Sequence, residues 1–164
     1  MSEVMGQTQE TYCLDILENG CGELGLSLTD VQKQQFVRYY EMLVEWNKVM
    51  NLTGITEFEE VLTKHFVDSL SIVKALDMAE IKSCIDVGTG AGFPGIPLKI
   101  VFPHIQITLL DSLNKRLKFL DAVIEDLGLK GIQTVHGRAE DSARRQEHRG
   151  QYDISVTRAV ARLC

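Results

Sequence analysis

The sequence has no long hydrophobic run, and no apolar stretch approaches the ~20 residues that a membrane-spanning helix requires. Residues 1–6 lack the basic region followed by an apolar region that marks a secretory signal. Cysteine is scarce and unpatterned, because Cys13, Cys21, Cys84 and Cys164 form no CxxC pair and no cluster with histidine. These features predict a cytoplasmic protein with reduced thiols, no membrane association, no metal site and no disulfide framework.

Positive charge is also in short supply, since the formal net charge is −6 at pH 7. That excess of acidic groups argues against nonspecific binding to nucleic acid through charge alone. The balance differs along the chain: residues 1–80 carry 5 Lys and Arg against 14 Asp and Glu, whereas residues 81–164 carry 12 against 9. The second part can therefore face phosphate groups, although a solvated surface explains the same charges equally well.

What the chain does contain is the composition of an ordinary globular protein, with 45% hydrophobic and 24% charged residues among 164. This length suits one main domain with an appendage. Apolar residues at helical spacing predict helices over 8–20, 29–50 and 57–77, the first ending at Gly20 and the second capped by Thr29. Residues 1–80 are therefore expected to form an N-terminal helical cap.

From residue 81 onward, short apolar runs alternate with helical patterns, and Ser112 is placed to cap the second of these helices. Strands are predicted over 81–87, 105–110, 132–135 and 152–156, and helices over 94–101 and 113–127. This order predicts an α/β domain over 81–164, with a Rossmann-like sheet of parallel strands and a ligand crevice at their carboxyl ends. The sheet is expected to be incomplete at its C-terminal side, which leaves strand four as a free edge through which oligomers can form.

Closely spaced glycines follow the first predicted strand and mark a ligand-binding turn before a helix. The run from Gly90 to Gly95 satisfies G-x-G-x-x-G, and Asp111 follows about 20 residues later, which formally allows an NAD-binding oxidoreductase. A second frame starts at Asp86 and places glycines at 88, 90 and 92, a pattern that resembles motif I of class I S-adenosylmethionine methyltransferases. Both frames place Asp111 where a carboxylate can accept ribose hydroxyls, although it can also be a helix cap or a turn residue.

Ligand chemistry favours the second frame. Asp86 would repel a pyrophosphate but tolerates the sulfonium and ammonium groups of S-adenosylmethionine. Pro94 and Pro97 remove amide donors near the helix start, which suits a phosphate cradle poorly. An oxidoreductase would also need a proton-relay residue, and the sequence has no Tyr-x-x-x-Lys pattern or suitably placed histidine.

Several longer segments carry a resemblance to a known family. They are WNK (46–48), NLT (51–53), KH (64–65), DSL (68–70), DVGTGAGFPGIPL (86–98), LLDS (109–112), KR (115–116), RAE (138–140) and SVTRA (155–159). Over about residues 25–164 the chain resembles the RsmG (also called GidB) family of bacterial small-subunit ribosomal RNA methyltransferases, which methylate a guanine at N7. The resemblance implies S-adenosylmethionine as cofactor and ribosomal RNA, or the small ribosomal subunit, as partner.

The resemblance also implies a cofactor pocket around the glycine turn. Gly88, Gly90, Gly92 and Phe93 would line it and Asp111 would hold the ribose, although Phe93 also suits a core position.

Three further positions come from the same resemblance. Ala139 and Glu140, after strand three, would flank the adenine, and Arg158, after strand four, would close the site. Glu140 also suits a helix cap, and Arg158 also suits a surface position. An arginine at that strand end is well placed to meet a carboxylate or an RNA phosphate.

The chemistry of guanine N7 predicts that no residue acts as an acid–base catalyst. N7 has a lone pair and no proton, so catalysis can rest on alignment and exclusion of water. His65 is accordingly expected to tie the helical cap to the sheet rather than to act as a base.

Family members continue for several more strands, so the resemblance implies a truncated member whose activity alone is doubtful. Two alternatives stay open: a cofactor-binding fragment without independent activity, and a helical interaction module for which the sheet is only a scaffold.

Overall fold

The computed structural model describes residues 12–138, 152–157 and 160–163 of the chain. The α-helices are α1 Asp15–Glu23, α2 Asp30–Asn47, α3 Phe58–Val61, α4 Asp68–Leu70, α5 Gly95–Val101 and α6 Asn114–Leu127. The strands are β1 Ser83–Val87, β2 Gln106–Asp111, β3 Ile132–His136, β4 Ile154–Thr157 and β5 Val160–Leu163. Among the described helices, none is long and apolar enough to cross a membrane. The predicted order of helices followed by alternating strands and helices is confirmed.

Of the predicted boundaries of the first two helices, only the start at Thr29 is confirmed: residues 12–14 are not helical, so α1 begins later than predicted, and α2 ends at Asn47 rather than at residue 50. As predicted, Thr29 caps α2: its hydroxyl accepts the N–H of Gln32 at 3.1 Å, and the Gln32 side chain accepts the N–H of Thr29 at 2.9 Å. The prediction that the first helix ends at Gly20 is wrong, because α1 continues to Glu23. Gly20 lies where α1 packs on Val67, and a Cβ there would come within 2.6 Å of Val67 Cγ2. This glycine permits close packing instead of ending the helix.

The predicted third helix is a series of shorter helical pieces. A π-helical segment, Leu62–Val67, joins α3 to α4, and a 3₁₀ segment, Ser71–Lys74, follows. The series therefore ends before residue 77, and a separate 3₁₀ turn, Met78–Glu80, leads into β1.

The sheet has the strand order β3-β2-β1-β4-β5. β1 pairs in parallel with both β2 and β4, and β2 pairs in parallel with β3, which confirms the predicted parallel α/β sheet. The prediction that β4 forms a free edge is wrong, because β5 pairs with it in the antiparallel direction. Chain order reverses across β1, so its carboxyl end is the switch point where ligands of such sheets bind.

The helical part and the sheet share one hydrophobic core. Phe36, Tyr39 and Leu43 of α2 belong to the same buried cluster as Leu109 of β2 and Leu120 of α6. Polar contacts add to this packing, since two α2 glutamines donate to main-chain carbonyls at the ends of α5 and α6. The helical part is thus a wall packed beside the carboxyl end of β1.

Candidate functional site

The turn between β1 and α5 is fixed to the neighbouring strand by main-chain hydrogen bonds. The N–H groups of Gly88 and Thr89 both donate to the carbonyl of Leu110, at 2.9 and 3.0 Å. From the helical wall, the Tyr39 hydroxyl donates to the carbonyl of Ala91. The turn is therefore held from the sheet and from α2.

Three glycines of this turn have backbone angles that L side chains rarely adopt. The φ angles are +68° at Gly88, +60° at Gly90 and +100° at Gly92. Among the residues that the structure describes, and apart from the adjoining residues of the chain, no atom would lie within 4 Å of a Cβ on Gly88 or Gly90. These two residues therefore present bare backbone to open space, as close approach of a ligand requires.

The other two glycines of the motif allow close packing of the protein. A Cβ on Gly92 would lie 2.7 Å from Ile96 Cδ1 and 2.7 Å from the Tyr39 hydroxyl. A Cβ on Gly95 would lie 2.8 Å from Asp86 Oδ2 and would overlap the Leu109 side chain. The alternating glycines thus divide into an open pair and a packed pair, a distinction that the sequence pattern does not show.

Asp111 lies at the carboxyl end of β2, as predicted, and its carboxylate contacts the turn directly. Oδ2 accepts the N–H of Gly90 at 2.8 Å, and Oδ1 accepts the N–H of Leu113 at 2.9 Å. Arg116 Nη1 is 3.5 Å from Oδ1. The prediction that Ser112 caps α6 is wrong, because Leu113 occupies the N-cap position and Asp111 satisfies its N–H.

Asp86 is completely buried at the end of β1 and joins the two ends of the turn. Its Oδ2 accepts the hydroxyl of Thr89 at 2.7 Å and the N–H of Gly95 at 2.8 Å. Burial raises the pKa of Asp86 to about 7, although the two hydrogen bonds act to lower it. The negative charge of Asp111 raises this pKa further. Burial therefore favours the protonated form of this carboxyl group.

Phe93 belongs to the turn and is 3% exposed. Its ring stacks on His65 at 4.4 Å between ring centroids, and His65 Nε2 lies 2.8 Å from the Thr53 hydroxyl. His65 therefore connects the helical wall to the turn, as predicted, and it is 2% exposed. The role of Phe93 in lining a cofactor pocket remains a prediction.

The remaining predicted site residues, Ala139, Glu140 and Arg158, lie outside the described residues. Within the described ranges, no group of three or more His, Cys, Asp or Glu side chains could hold a metal ion.

Two neighbours of the site were missed as site residues in the sequence. Leu113 follows β2 directly and is 49% exposed, one of the few large apolar side chains exposed to that extent. Arg116 lies one helical turn further on, beside Asp111. Their position immediately after the acidic end of β2 was the available signal.

A cavity of about 430 Å³ lies elsewhere, at the amino ends of the strands. Hydroxyl and amide groups line it, including those of Ser83, Gln106, Gln133 and Tyr152. The Tyr152 hydroxyl donates to that of Thr108 at 3.1 Å, which satisfies part of this lining. None of the described residues that line the cavity is charged, so their chemistry differs from that of the turn.

The sequence has close relatives among curated proteins. One from Alkaliphilus metalliredigens (strain QYMF), named ribosomal RNA small subunit methyltransferase G, is 56% identical over 148 residues, or 90% of this chain and 62% of the relative. One of the same name from Clostridium botulinum (strain Loch Maree / Type A3) is 54% identical over 149 residues, or 91% of this chain and 62% of the relative. The chain thus spans about three fifths of the length of these relatives.

Likenesses to solved structures are weaker. A precorrin-6y C5,15-methyltransferase from Geobacter metallireducens GS-15 matches with a TM-score of 0.47 and 16% identity, over 66% of this chain and 51% of the other. A crystal structure of MtNAS in complex with MTA and tNA matches with a TM-score of 0.48 and 15% identity, over 77% of this chain and 48% of the other.

Residues 32–164 match the family model GidB, described as rRNA small subunit methyltransferase G. The family model and these two curated relatives are named as methyltransferases, not as oxidoreductases. This chain belongs to the GidB family.

Proposed function

We propose that this chain binds S-adenosylmethionine at the glycine turn and that the protein methylates N7 of a guanine in 16S ribosomal RNA. The observation that carries the proposal is the bare backbone of Gly88 and Gly90, which faces open space beside the carboxylate of Asp111. Membership of the GidB family supports it. When bound, the cofactor supplies a methyl group on a positively charged sulfur.

The charges around the turn suit a cation better than a pyrophosphate. Asp86 and Asp111 both lie at the carboxyl end of the parallel strands. Among the described residues, Arg116 forms an ion pair with Asp111, with 3.5 Å between Nη1 and Oδ1. The Asp111 carboxylate, and Asp86 when it is ionised, would repel a pyrophosphate and attract the sulfonium and ammonium groups of a methyl donor. This electrostatic preference favours S-adenosylmethionine over a dinucleotide.

We propose that Asp111 binds the ribose of S-adenosylmethionine and that Leu113 packs on its adenine. A carboxylate has about four accepting positions, and main-chain N–H groups occupy two of those on Asp111. Because Asp111 is 2% exposed, hydroxyls must approach it beside Gly90, where no Cβ blocks the way. Leu113 offers an exposed apolar surface two residues further along.

Replacing Asp111 by asparagine should weaken S-adenosylmethionine binding about tenfold, because the ribose loses a charged acceptor. Isothermal titration calorimetry measures this change. Asp126→Asn is the matched control, since Asp126 lies on α6 and pairs with Arg38 away from the turn. An unchanged affinity in Asp111→Asn would favour the alternative in which the sheet is only a scaffold.

Replacing Leu113 by serine should weaken binding about fivefold, because part of an apolar side chain no longer covers the adenine. Val31→Ser is the matched control, since Val31 is 64% exposed on α2, remote in sequence from the turn. The same calorimetric titration compares the two variants. Equal affinities for both would place the adenine elsewhere.

The proposed transfer to N7 needs orientation and exclusion of water rather than a base. Guanine N7 attacks with a free lone pair, so the chain must hold the two reactants in line. Consistent with this, His65 is buried against Phe93 and engaged with Thr53, which makes it a structural contact. The target guanine should be unstacked, which favours a single-stranded or loop position in the RNA.

Two assays test the proposed function. Calorimetry should detect binding of S-adenosylmethionine and no binding of NAD⁺ at the same concentration; the reverse result would overturn the proposal. Radiolabelled methyl transfer to small subunits from cells that lack this modification should then yield 7-methylguanosine. A methyl group at another position would contradict the N7 assignment, and binding without transfer would support the cofactor-binding fragment.

A further inference from the structure

The carboxyl group of Asp86 has one satisfied and one unsatisfied oxygen. Oδ2 accepts two hydrogen bonds, from Thr89 and from Gly95. Oδ1 is the buried side-chain atom without a hydrogen-bond partner among the residues that the structure describes. A buried oxygen of this kind is costly when it carries negative charge, and a proton on it removes that cost.

Asp86 also controls the shape of the turn. Thr89 lies between the two open glycines, 88 and 90, and Gly95 is the first residue of α5. One carboxylate oxygen therefore holds the middle of the turn and its far end together. Any change in the charge of this group acts on backbone that a ligand would contact.

We propose that Asp86 is a positioning residue that exchanges a proton for the positive charge of the ligand. In the ligand-free protein Oδ1 carries the proton, and in the complex the carboxyl group is ionised and its proton passes to solvent. This inference rests on the proposed function, since it takes a cationic methyl donor as the ligand.

The electrostatics support this exchange. The pKa of Asp86 is raised to about 7, chiefly by burial, so both charge states are accessible near neutral pH. A cation bound at the turn favours the ionised form and lowers this pKa. Each unit of lowering strengthens binding tenfold at high pH relative to low pH. S-adenosylhomocysteine, which lacks the sulfonium charge, should show a smaller effect.

Other ionisable groups pack around the same region, and their effects on binding must be distinguished from that of Asp86. Asp111 approaches from β2 with Arg116 of α6, and Asp111 is the charge that acts on Asp86. His65 stacks on Phe93 from the π-helical segment, and histidine titrates in the same pH range. In addition, Tyr39 of α2 contacts the turn, and Lys99 of α5 donates to main-chain carbonyls.

The test compares the affinities of S-adenosylmethionine and S-adenosylhomocysteine at pH 6 and pH 8. In the unmodified chain, the ratio of the two affinities should shift toward S-adenosylmethionine by about fivefold from pH 6 to pH 8, as a pKa lowered by one unit requires. Asp86→Asn keeps the shape without the charge and should abolish this shift. Any pH dependence that remains in Asp86→Asn comes from titration of the ligands' own amino groups, so this variant is the baseline for the comparison. His65→Gln should leave the shift in place.

Proton release gives a second readout that needs no variant. Calorimetry of the unmodified chain in two buffers of different ionisation enthalpy should show proton release on binding S-adenosylmethionine near pH 6.5. A pH-independent affinity ratio with no proton release would overturn the inference while leaving the proposed function intact. Failure of both ligands to bind at any pH would overturn the inference and the proposed function together.

A third readout uses the ligand-free protein. Because burial raises the pKa of Asp86 in the folded state, its protonated form is favoured by folding, and stability is lost as pH rises from about 4 through 7. Asp86→Asn should therefore exceed the unmodified chain in Tm by a margin that grows by about 4 °C or more from pH 5 to pH 8. An equal difference in Tm between the two ligand-free proteins at both pH values would overturn the inference.

Discussion

Replacing Gly90 by asparagine should reduce the affinity for S-adenosylmethionine at least ~100-fold, or ~2.7 kcal/mol, while the protein stays folded. The φ angle of Gly90 is +60°, a conformation that asparagine adopts more readily than other residues with a side chain. Its Cβ would meet no atom within 4 Å in the described part of the chain, so the fold loses little. The side chain would instead occupy the open space over the turn, where we place the ligand.

The matched control for this variant is Gly25→Asn. Gly25 has a φ angle of +76°, and a Cβ there would also meet no atom of the described residues within 4 Å, but this glycine follows α1. Both variants should keep the Tm within a few degrees of the unmodified chain, because they introduce the same side chain at similar angles. Calorimetry should show lost binding in Gly90→Asn and unchanged binding in Gly25→Asn. Retained affinity in Gly90→Asn would place the ligand away from the turn.

The architecture could be predicted from the sequence because periodicity and glycine spacing are local signals. Apolar residues at helical spacing predicted α2, and Thr29 predicted its start. Short apolar runs before Gly88 and at Asp111 predicted β1 and β2 to within two residues. These signals lie within single elements, so tertiary contacts did not override them.

Boundaries that depend on tertiary contacts were predicted less well. Gly20 carries the sequence signal of a helix end, but the helix continues to Glu23. The glycine is instead explained by Val67, which packs where a Cβ on Gly20 would lie. Similarly, Ser112 carries the signal of a cap, but Asp111 takes that role from the end of β2. In both cases the deciding partner lies on another element, which a local pattern does not reveal.

The residues of the turn could be predicted from the sequence, but the different roles of its glycines could not. The alternating glycines and Asp111 were identified from spacing, whereas only the packing shows that Gly88 and Gly90 are open and that Gly92 and Gly95 are crowded. The unsatisfied oxygen of Asp86 depends on burial by several elements together. Such three-dimensional burial has no signature in a linear pattern.

Replacing Gly95 by alanine should destabilise the protein by about 2–3 kcal/mol, which lowers its Tm by roughly 5–10 °C. Alanine normally favours a helix over glycine by about 0.5–1 kcal/mol, so the helical position alone predicts a gain. The added Cβ would, however, lie 2.8 Å from Asp86 Oδ2 and overlap Leu109, both of which are fully buried. Overpacking against two strands therefore outweighs helix propensity.

Gly22→Ala isolates the effect of helix propensity, because Gly22 lies in α1 and a Cβ there meets no atom of the described residues within 4 Å. Thermal and urea unfolding should show this variant at or slightly above the stability of the unmodified chain. Losses of equal size in both variants would mean that α5 does not pack on β1 and β2 as closely as described. A loss confined to Gly95→Ala would show that the first residue of α5 must be glycine, because a Cβ has no room between α5 and the side chains of Asp86 and Leu109. The glycine that ends the motif would then serve the packing of α5 on the sheet rather than the ligand.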